Sequence, residues 1–529
     1  MNHDKNKAQI AKSLGIREDF IEEQYESYII QDITNKTIKL GDELLQIEIN
    51  KPIQFHNCTI AFDDERSPKT TNLNLEFYEC NFTNARISCK FNNKVVFKKC
   101  EFGLSGDKLK IFDEIYFLCQ FLSDVNFSDS TFKNNVNFSS IIFEGNADFR
   151  KCVFEKTAKF YGVKLNKVSN FSNTHFIDND IFNNSVFNGN TDFRECKFEK
   201  TACFYGVKFE KVSNFSNIHF IDNAYFNNSH FKDSVDFHEC EFEKTANFYG
   251  VKFDKAPNFS QAQFKGSLNA VNAKLDFGFE SLENKIKQEH IEYNKRESIK
   301  KPLAHFANDF RDSFRIFKST LIKDNNLLDA SNFHKCELYC KEVELDSKKT
   351  KTLRDKVDKW QLWFYRKLCD HHTDILKSFH SLMLVIGLFG LMSFGVIAGF
   401  DYCLGYKPIL SHPHMIKKIY DAHIHFFIET HTLCTFLFNI FILGVYLLML
   451  FISIKWKIPR VFLIGVSYFI VISILLISPK ILIPAMGIFT DKRELLDPLS
   501  TLGGIYTIVF GFVLFSFIKT IRKNSIVPS

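Results

Sequence analysis

Lys156-Thr157-Ala158-Lys159-Phe160-Tyr161-Gly162 returns almost unchanged as Lys200-Thr201-Ala202-Cys203-Phe204-Tyr205-Gly206 and again as Lys244-Thr245-Ala246-Asn247-Phe248-Tyr249-Gly250, at an offset of 44 residues. Within that interval phenylalanine recurs at spacings that alternate between five and six, as in Phe149, Phe154, Phe160, Phe171, Phe176 and Phe182, with Leu165 filling one place. The rhythm runs from Phe127 to Phe264. Two residues before each large side chain sits a small or β-branched one, such as Ala158, Val163, Ser169, Thr174 or Ala202. Neither the 3.6-residue period of a helix nor the 2-residue period of a strand gives this pattern, so it belongs to a repeat architecture.

A large apolar residue every five or six positions is buried only if the chain coils, each short segment forming one wall and stacking on the next coil. Segments of 5, 6, 5 and 6 residues close a coil of 22, and the 44-residue identity is two coils. Phe160, Phe182, Phe204, Phe226 and Phe248 then form one inward column, and Phe154, Phe176, Phe198, Phe220, Phe242 and Phe264 form another. Two positions past the first column come Gly162, Asn184, Gly206, Asn228 and Gly250, residues that accept the positive φ of a tight corner. With coils stacked at roughly 4.8 Å, the stretch predicts a rod about 30 Å long.

Ala246-Asn247-Phe248, Ser169-Asn170-Phe171 and Ser213-Asn214-Phe215 resemble the signature of the pentapeptide-repeat family: a small residue, Asn or Asp, then a central Phe or Leu. The resemblance implies a mainly β solenoid, a right-handed quadrilateral β-helix. The strict 11-residue units cover 121–268, and a degenerate form extends the expected β-helix to 51–278. There Phe55, Ile60, Phe77, Phe82, Phe97 and Phe102 keep the spacing, and insertions near Asp63–Thr71 and Gly103–Lys110 read as loops among two to four further coils.

The flanks change character. Residues 1–50 are charged, lack an apolar leader, and carry Ile10, Leu14, Ile16, Phe20, Ile21 and Tyr25 at spacings that suit one or two short helices capping the open strand edge. From Phe279 the period turns helical: Phe306, Phe310, Phe314, Phe317 and Leu321 form one stripe, and a second helix is expected from near Asp329. An α-helical connector over 279–350 would close the other end of the rod.

The last third belongs to a different solvent. Four uncharged apolar runs, about 381–400, 432–454, 461–479 and 498–518, are long enough to span a bilayer, and predict a four-helix transmembrane bundle over 378–529. Arg366, Lys367 and Lys377, then Lys455, Lys457 and Arg460, then Lys519, Arg522 and Lys523 all fall on one side, which places both termini in the cytoplasm. Residues 351–377, with Trp360 and Trp363, read as an interfacial amphipathic segment. With the resemblance, this implies a multi-pass protein of the bacterial inner membrane.

No constellation points to catalysis or to a cofactor: there is no Gly-x-Ser-x-Gly, P-loop, dinucleotide fingerprint or HExxH. Cys152, Cys196 and Cys240 are two coils apart, roughly 9–10 Å, too far for disulfides, and read as core packing. His175 and His219 share the 44-residue spacing without an evident partner. His412, His414, His423, His425 and His431, with Asp421 and Glu429, gather in the external segment 401–431 but match no ligand spacing, so no metal is expected.

The reading is therefore a membrane-anchored cytoplasmic scaffold for protein–protein interaction and not an enzyme. Its partners are the lipid bilayer and an unknown protein, with homo-oligomerisation left open. The alternative is a channel-like or transport-related protein with the β-helix as sensor, against which stand spans without charge and with Asn439 as their one amide. A DNA mimic that binds topoisomerase ranks last, and a nucleic-acid partner is disfavoured. Between Phe121 and Ala270 there are 18 acidic against 17 basic residues, a net of 18 − 17 = 1 negative charge, far from the dense stripe a phosphate backbone carries.

Overall fold

The computed structural model describes residues 2–62, 69–83, 85–103, 114–405, 413–477 and 496–524. It divides into a unit of Met1–Ser347 and a unit of Lys348–Ser529.

The first unit is a β-solenoid. Among the described residues its strands stack into four sheets of 11, 10, 11 and 9 strands, parallel except for one N-terminal pairing, in which 21–23 runs antiparallel to 28–31. The register advances by a constant coil length through the regular part: Val153 pairs with His175, His175 with Lys197, and Lys197 with His219. Earlier coils absorb irregular lengths, since Leu75 pairs with Val95 and Val95 with Val125. The expected loops near 63–71 and 103–110 fall mostly outside the described residues, apart from Gly103 and a strand at Lys69–Thr71.

Phenylalanine stacking explains why this sequence coils. Phe160, Phe182, Phe204, Phe226 and Phe248 are fully buried, with successive ring centroids 4.8, 4.9, 4.9 and 5.1 Å apart and planes parallel within 4°. Phe154, Phe176, Phe198, Phe220 and Phe242 stack likewise at 5.1, 4.6, 5.2 and 4.8 Å. Neighbouring columns meet edge-on, as Phe160 meets Phe171 at 87°. Offset stacking along a column and T-shaped contact across it are the two arrangements an aromatic quadrupole favours.

The corners are backbone devices. Gly162, Asn184, Gly206, Asn228 and Gly250 lie at φ of 65, 58, 66, 57 and 65°. A second corner is also left-handed, at Lys151, Asn173, Glu195, Asn217 and Glu239. Sequence reading misses this second set because Lys and Glu carry no turn signal. The small residue after each such corner caps the preceding coil: the thiols of Cys152, Cys196 and Cys240 donate to the carbonyls of Phe127, Phe171 and Phe215 at 3.0, 2.9 and 2.8 Å, and the Thr174 hydroxyl to Phe149 at 2.7 Å. These cysteines are free and buried.

Both ends differ from plain caps. At the N-terminal end helix α1 (Asn2–Leu14) buries Ile10, Ala11 and Leu14. A single 3-10 turn follows at Glu18–Phe20, after which the chain turns to strands, where Tyr28 with Ile30 and Ile38 with Leu40 alternate at period 2 and extend two of the sheets. A one-turn helix, α2 (Asp42–Leu45), follows. At the other end α3 (Phe279–Arg296) is followed by α4 (Leu303–Lys323) and α5 (Leu327–Ser347). Phe317 of α4 continues the ring stack, 4.9 Å from Phe259 and 5.5 Å from Phe264, and itself stacks on Phe333 of α5 at 5.1 Å. Ser313 donates to the Phe259 carbonyl at 2.6 Å, as the next coil's small residue would.

The second unit is helical: α6 (Leu353–Cys369), α7 (Ile375–Cys403), α8 (Pro413–Thr430), α9 (Thr432–Lys455), α10 (Lys457–Ile477) and α11 (Pro498–Asn524). Four stretches, Ile375–Cys403, Thr432–Lys455, Ile458–Leu476 and Pro498–Arg522, are long and apolar enough to cross a membrane. Thr352 and Asp355 form a capping box that starts α6. The segment read as an external loop contains a helix, α8, whose Tyr420, Ile424 and Ile428 are buried at spacing i, i+4, i+8.

Candidate functional site

The solenoid offers four outer faces, each with its own chemistry because the outward position recurs once per coil. On the first, Asn126, Asp148, Asn170, Asp192, Asn214 and Asp236 follow one another up the wall, each side chain accepting from the backbone N–H two residues on. Amide and carboxylate alternate, so like charges never stack on adjacent coils. Arg150 and Arg194 neutralise Asp148 and Asp192 at 2.6 and 2.7 Å.

On the second face Val153 is followed in register by a polar and charged ladder of His175, Lys197, His219 and Glu241. His175 Nε2 lies 2.8 Å from Glu199, which also accepts from Lys197 at 2.7 Å. His219 Nε2 lies 3.2 Å from Glu243 and 3.9 Å from Glu241. The expectation that these histidines lack partners is corrected: each finds a carboxylate one coil further on plus the two-residue step to the same face. Hydrogen bonds from Lys265 and then His219 hold the Glu243 carboxyl below its usual range. On the third face His230 repeats the rule with Asp254 at 2.9 Å, among the outward column of Lys164, Lys208, Lys252 and Lys274.

The fourth face is different. Ile181, Cys203, Tyr225 and Asn247 stand in register, flanked by Tyr161, Asn183, Tyr205, Asn227 and Tyr249. No charged side chain points outward between Ile181 and Asn247 on this wall, all of whose residues are described. Tyr161, Tyr205 and Tyr249 are 49, 47 and 39 % exposed, an aromatic column two coils apart. Asn184 donates to the Tyr161 hydroxyl at 3.3 Å and Asn272 to that of Tyr249 at 3.0 Å. At the end of the column a polar cleft of about 630 Å³ opens between Tyr249, Asn272, Lys274 and the Asp329 and Asn332 side chains of α5.

Behind the tyrosine wall lies the one acid in its inner column. Asp180 takes the place held by Ala158, Ala202, Ala224 and Ala246 and is fully buried. One oxygen accepts from the Ala158 N–H at 3.2 Å and the other has no partner. Burial raises its pKa well above the ordinary carboxylate value.

In the helical unit several polar groups are buried. Asn439 is buried and donates to the Leu496 carbonyl at 2.8 Å, while its carbonyl oxygen, the Tyr446 and Tyr506 hydroxyls and both oxygens of Asp401 are buried without hydrogen-bond partners among the described residues. The Tyr420 hydroxyl reaches Asp497 at 2.7 Å. Arg460 at the start of α10 donates to the Lys367 carbonyl at 2.8 Å and to Ser381 at 3.0 Å, bringing two of the basic clusters to the same end of the bundle. Of the histidines in 401–431, His423 bonds back to Ile419 and His425 pairs with Glu429 at 3.4 Å. His412 lies outside the described residues.

A solenoid of four parallel walls around phenylalanine columns defines a repeat protein. The family model for pentapeptide repeats (9 copies) matches residues 118–153, 149–197, 193–241 and 204–252, so this stretch of the chain is a pentapeptide-repeat solenoid. No curated protein and no solved structure matches the chain. The chain thus combines a pentapeptide-repeat stretch with four helices long and apolar enough to cross a membrane.

Proposed function

We propose that the chain is a membrane-held scaffold whose tyrosine wall is the docking face for a protein partner. The observation that carries the reading is the contrast of that wall with its neighbours: an uncharged strip of Ile181, Cys203, Tyr205, Tyr225 and Tyr249 beside faces built of paired charges. Exposed tyrosine on a rigid backbone supplies contact area at little entropic cost, as in recognition surfaces generally. The orientation follows from the basic clusters at one end of the bundle, which in a bacterial inner membrane put the solenoid and both termini on the cytoplasmic side. No chemical step is assigned to it.

A photo-crosslinking residue placed at Tyr205 in the full chain, in native membranes, should capture a defined protein, and the same probe at Lys208 on the lysine face should not. Equal capture at both positions would remove the tyrosine wall from the proposal.

A second reading is favoured by one specific observation, the partnerless polar atoms of Asp401, Asn439, Tyr446 and Tyr506 inside the apolar bundle. Such groups at membrane depth commonly mark a path for water or ions. If the bundle is an anchor, the purified protein in liposomes should pass no ions above empty vesicles. A reproducible current abolished by Tyr446→Phe or Asn439→Leu would establish the channel reading instead.

A further inference from the structure

We propose that the charged wall carries a binding site for a divalent transition metal, zinc being the natural test ion, formed by His219, Glu241 and Glu243. The three come together through the repeat itself. Glu241 stands one coil above His219 in direct register, and Glu243 follows two residues along the same outer face. One ligand atom from each lies within 4.8 Å of the others, with His219 Nε2 only 3.2 Å from Glu243 and 3.9 Å from Glu241. Tetrahedral zinc with bonds of about 2.0–2.1 Å needs its ligand atoms roughly 3.4 Å apart, so side-chain rotations of an ångström or so close the set. One imidazole and two carboxylates leave a fourth position open to water or to a partner's side chain, since all three groups are partly exposed.

Two comparisons within the molecule sharpen the assignment. Two coils earlier the wall repeats His175 and Glu199, but Lys197 stands where Glu241 would be, and its ammonium at 2.7 Å from Glu199 fills the place of the metal. At the proposed site that cation comes from a different coil: Lys265 reaches Glu243 at 2.7 Å and Glu241 at 3.3 Å. It bridges the two carboxylates, so a metal ion competes with Lys265 for one pair of anions. Among the described residues no other three such groups converge.

Zinc chloride titrated calorimetrically into the metal-free full chain in detergent should show an equivalent that His219→Ala and Glu241→Lys each weaken at least tenfold, while His175→Ala leaves it unchanged. Lys265→Gln should tighten the same equivalent several-fold, because it removes the competing cation. A purely structural ion-pair network gives the reverse pattern, with no zinc dependence and a lower melting temperature in Lys265→Gln. The proposal fails if no equivalent binds at micromolar zinc, if it survives Glu241→Lys, or if Lys265→Gln weakens it. Hydrogen-exchange protection of residues 198–242 in each variant confirms that the coils remain folded.

Discussion

Both units of this chain bury apolar side chains, but they expose different things. In the solenoid, phenylalanine points inward and polar side chains line four outer faces. In the bundle, Phe436, Phe441, Phe462, Phe469, Phe512 and Phe515 are exposed, while Asn439, Tyr446, Tyr506 and Asp401 are inside. The residue types are shared, and the solvent is what differs. Water expels apolar surface from the walls of the first unit, whereas hydrocarbon gives no such drive and leaves packing and interior polar groups to hold helices together. A phenylalanine therefore has a stabilising value only relative to the medium it leaves.

The sharpest way to break this comparison is to truncate one ring in each unit. Phe204→Ala, inside the ring column that runs unbroken from Phe117 to Phe248, should destabilise the solenoid by about 3–5 kcal/mol. Phe441→Ala, on the exposed face of α9, should cost less than about 1 kcal/mol in micelles, because its ring meets apolar surroundings whether or not the bundle is assembled. Thermal unfolding of the full chain followed by segment-resolved hydrogen exchange reads both, and equal losses would dissolve the distinction.

Asp180→Ala tests the one acid placed among the rings. Removing its carboxyl, one oxygen of which is unpartnered, should stabilise the solenoid by about 1–3 kcal/mol at pH 8. Because its folded pKa is raised, the native state holds a proton that the unfolded chain releases above the ordinary value of 3.8. Stability is thus lost as pH rises through and beyond that value, and the gain from Asp180→Ala should shrink on acidification.

Glu337 in the closing helices has the opposite sign. Burial alone would raise it, but hydrogen bonds from His334, Lys318 and Arg315 bring it down to about 2. Its contribution is present above the unfolded value of 4.5 and is lost as pH falls toward about 2, so the α4–α5 cap should loosen in that window. Hydrogen exchange of 303–347 between pH 5 and pH 2 measures this, and Glu337→Gln should flatten the dependence.

The smallest effect is expected at Lys208, outward on the lysine face, where Ala should change stability by less than about 0.5 kcal/mol. A large loss there would mean that the outer ladders contribute as much as the ring columns.

The solenoid was unusually legible because its period is covalent: every regular coil has the same length in residues, so every inward ring, every Gly or Asn corner and the free cysteines follow from counting. The same counting, extended by two positions, would have paired His175 with Glu199 and His219 with Glu243. The positive φ at Lys151, Glu195 and Glu239 was not legible, since those side chains tolerate the conformation without signalling it. Nor was the N-terminal strand extension, where a few apolar residues fit a short helix and a strand edge equally well. In the bundle, composition marked the spans and the side bearing positive charge. That Asn439, Tyr446 and Tyr506 face inward, and that α8 folds within 401–431, depended on how the helices pack.

By itself the sequence determined the repeat, its inward columns and the four apolar spans, because burial periodicity and bilayer length are properties of local order along the chain. Only the tertiary structure decided which outer residues become neighbours across coils, how Phe317 and Ser313 take the place of a missing coil, and which polar groups the bundle encloses. Those are contacts between segments distant in sequence, and their geometry is set by packing.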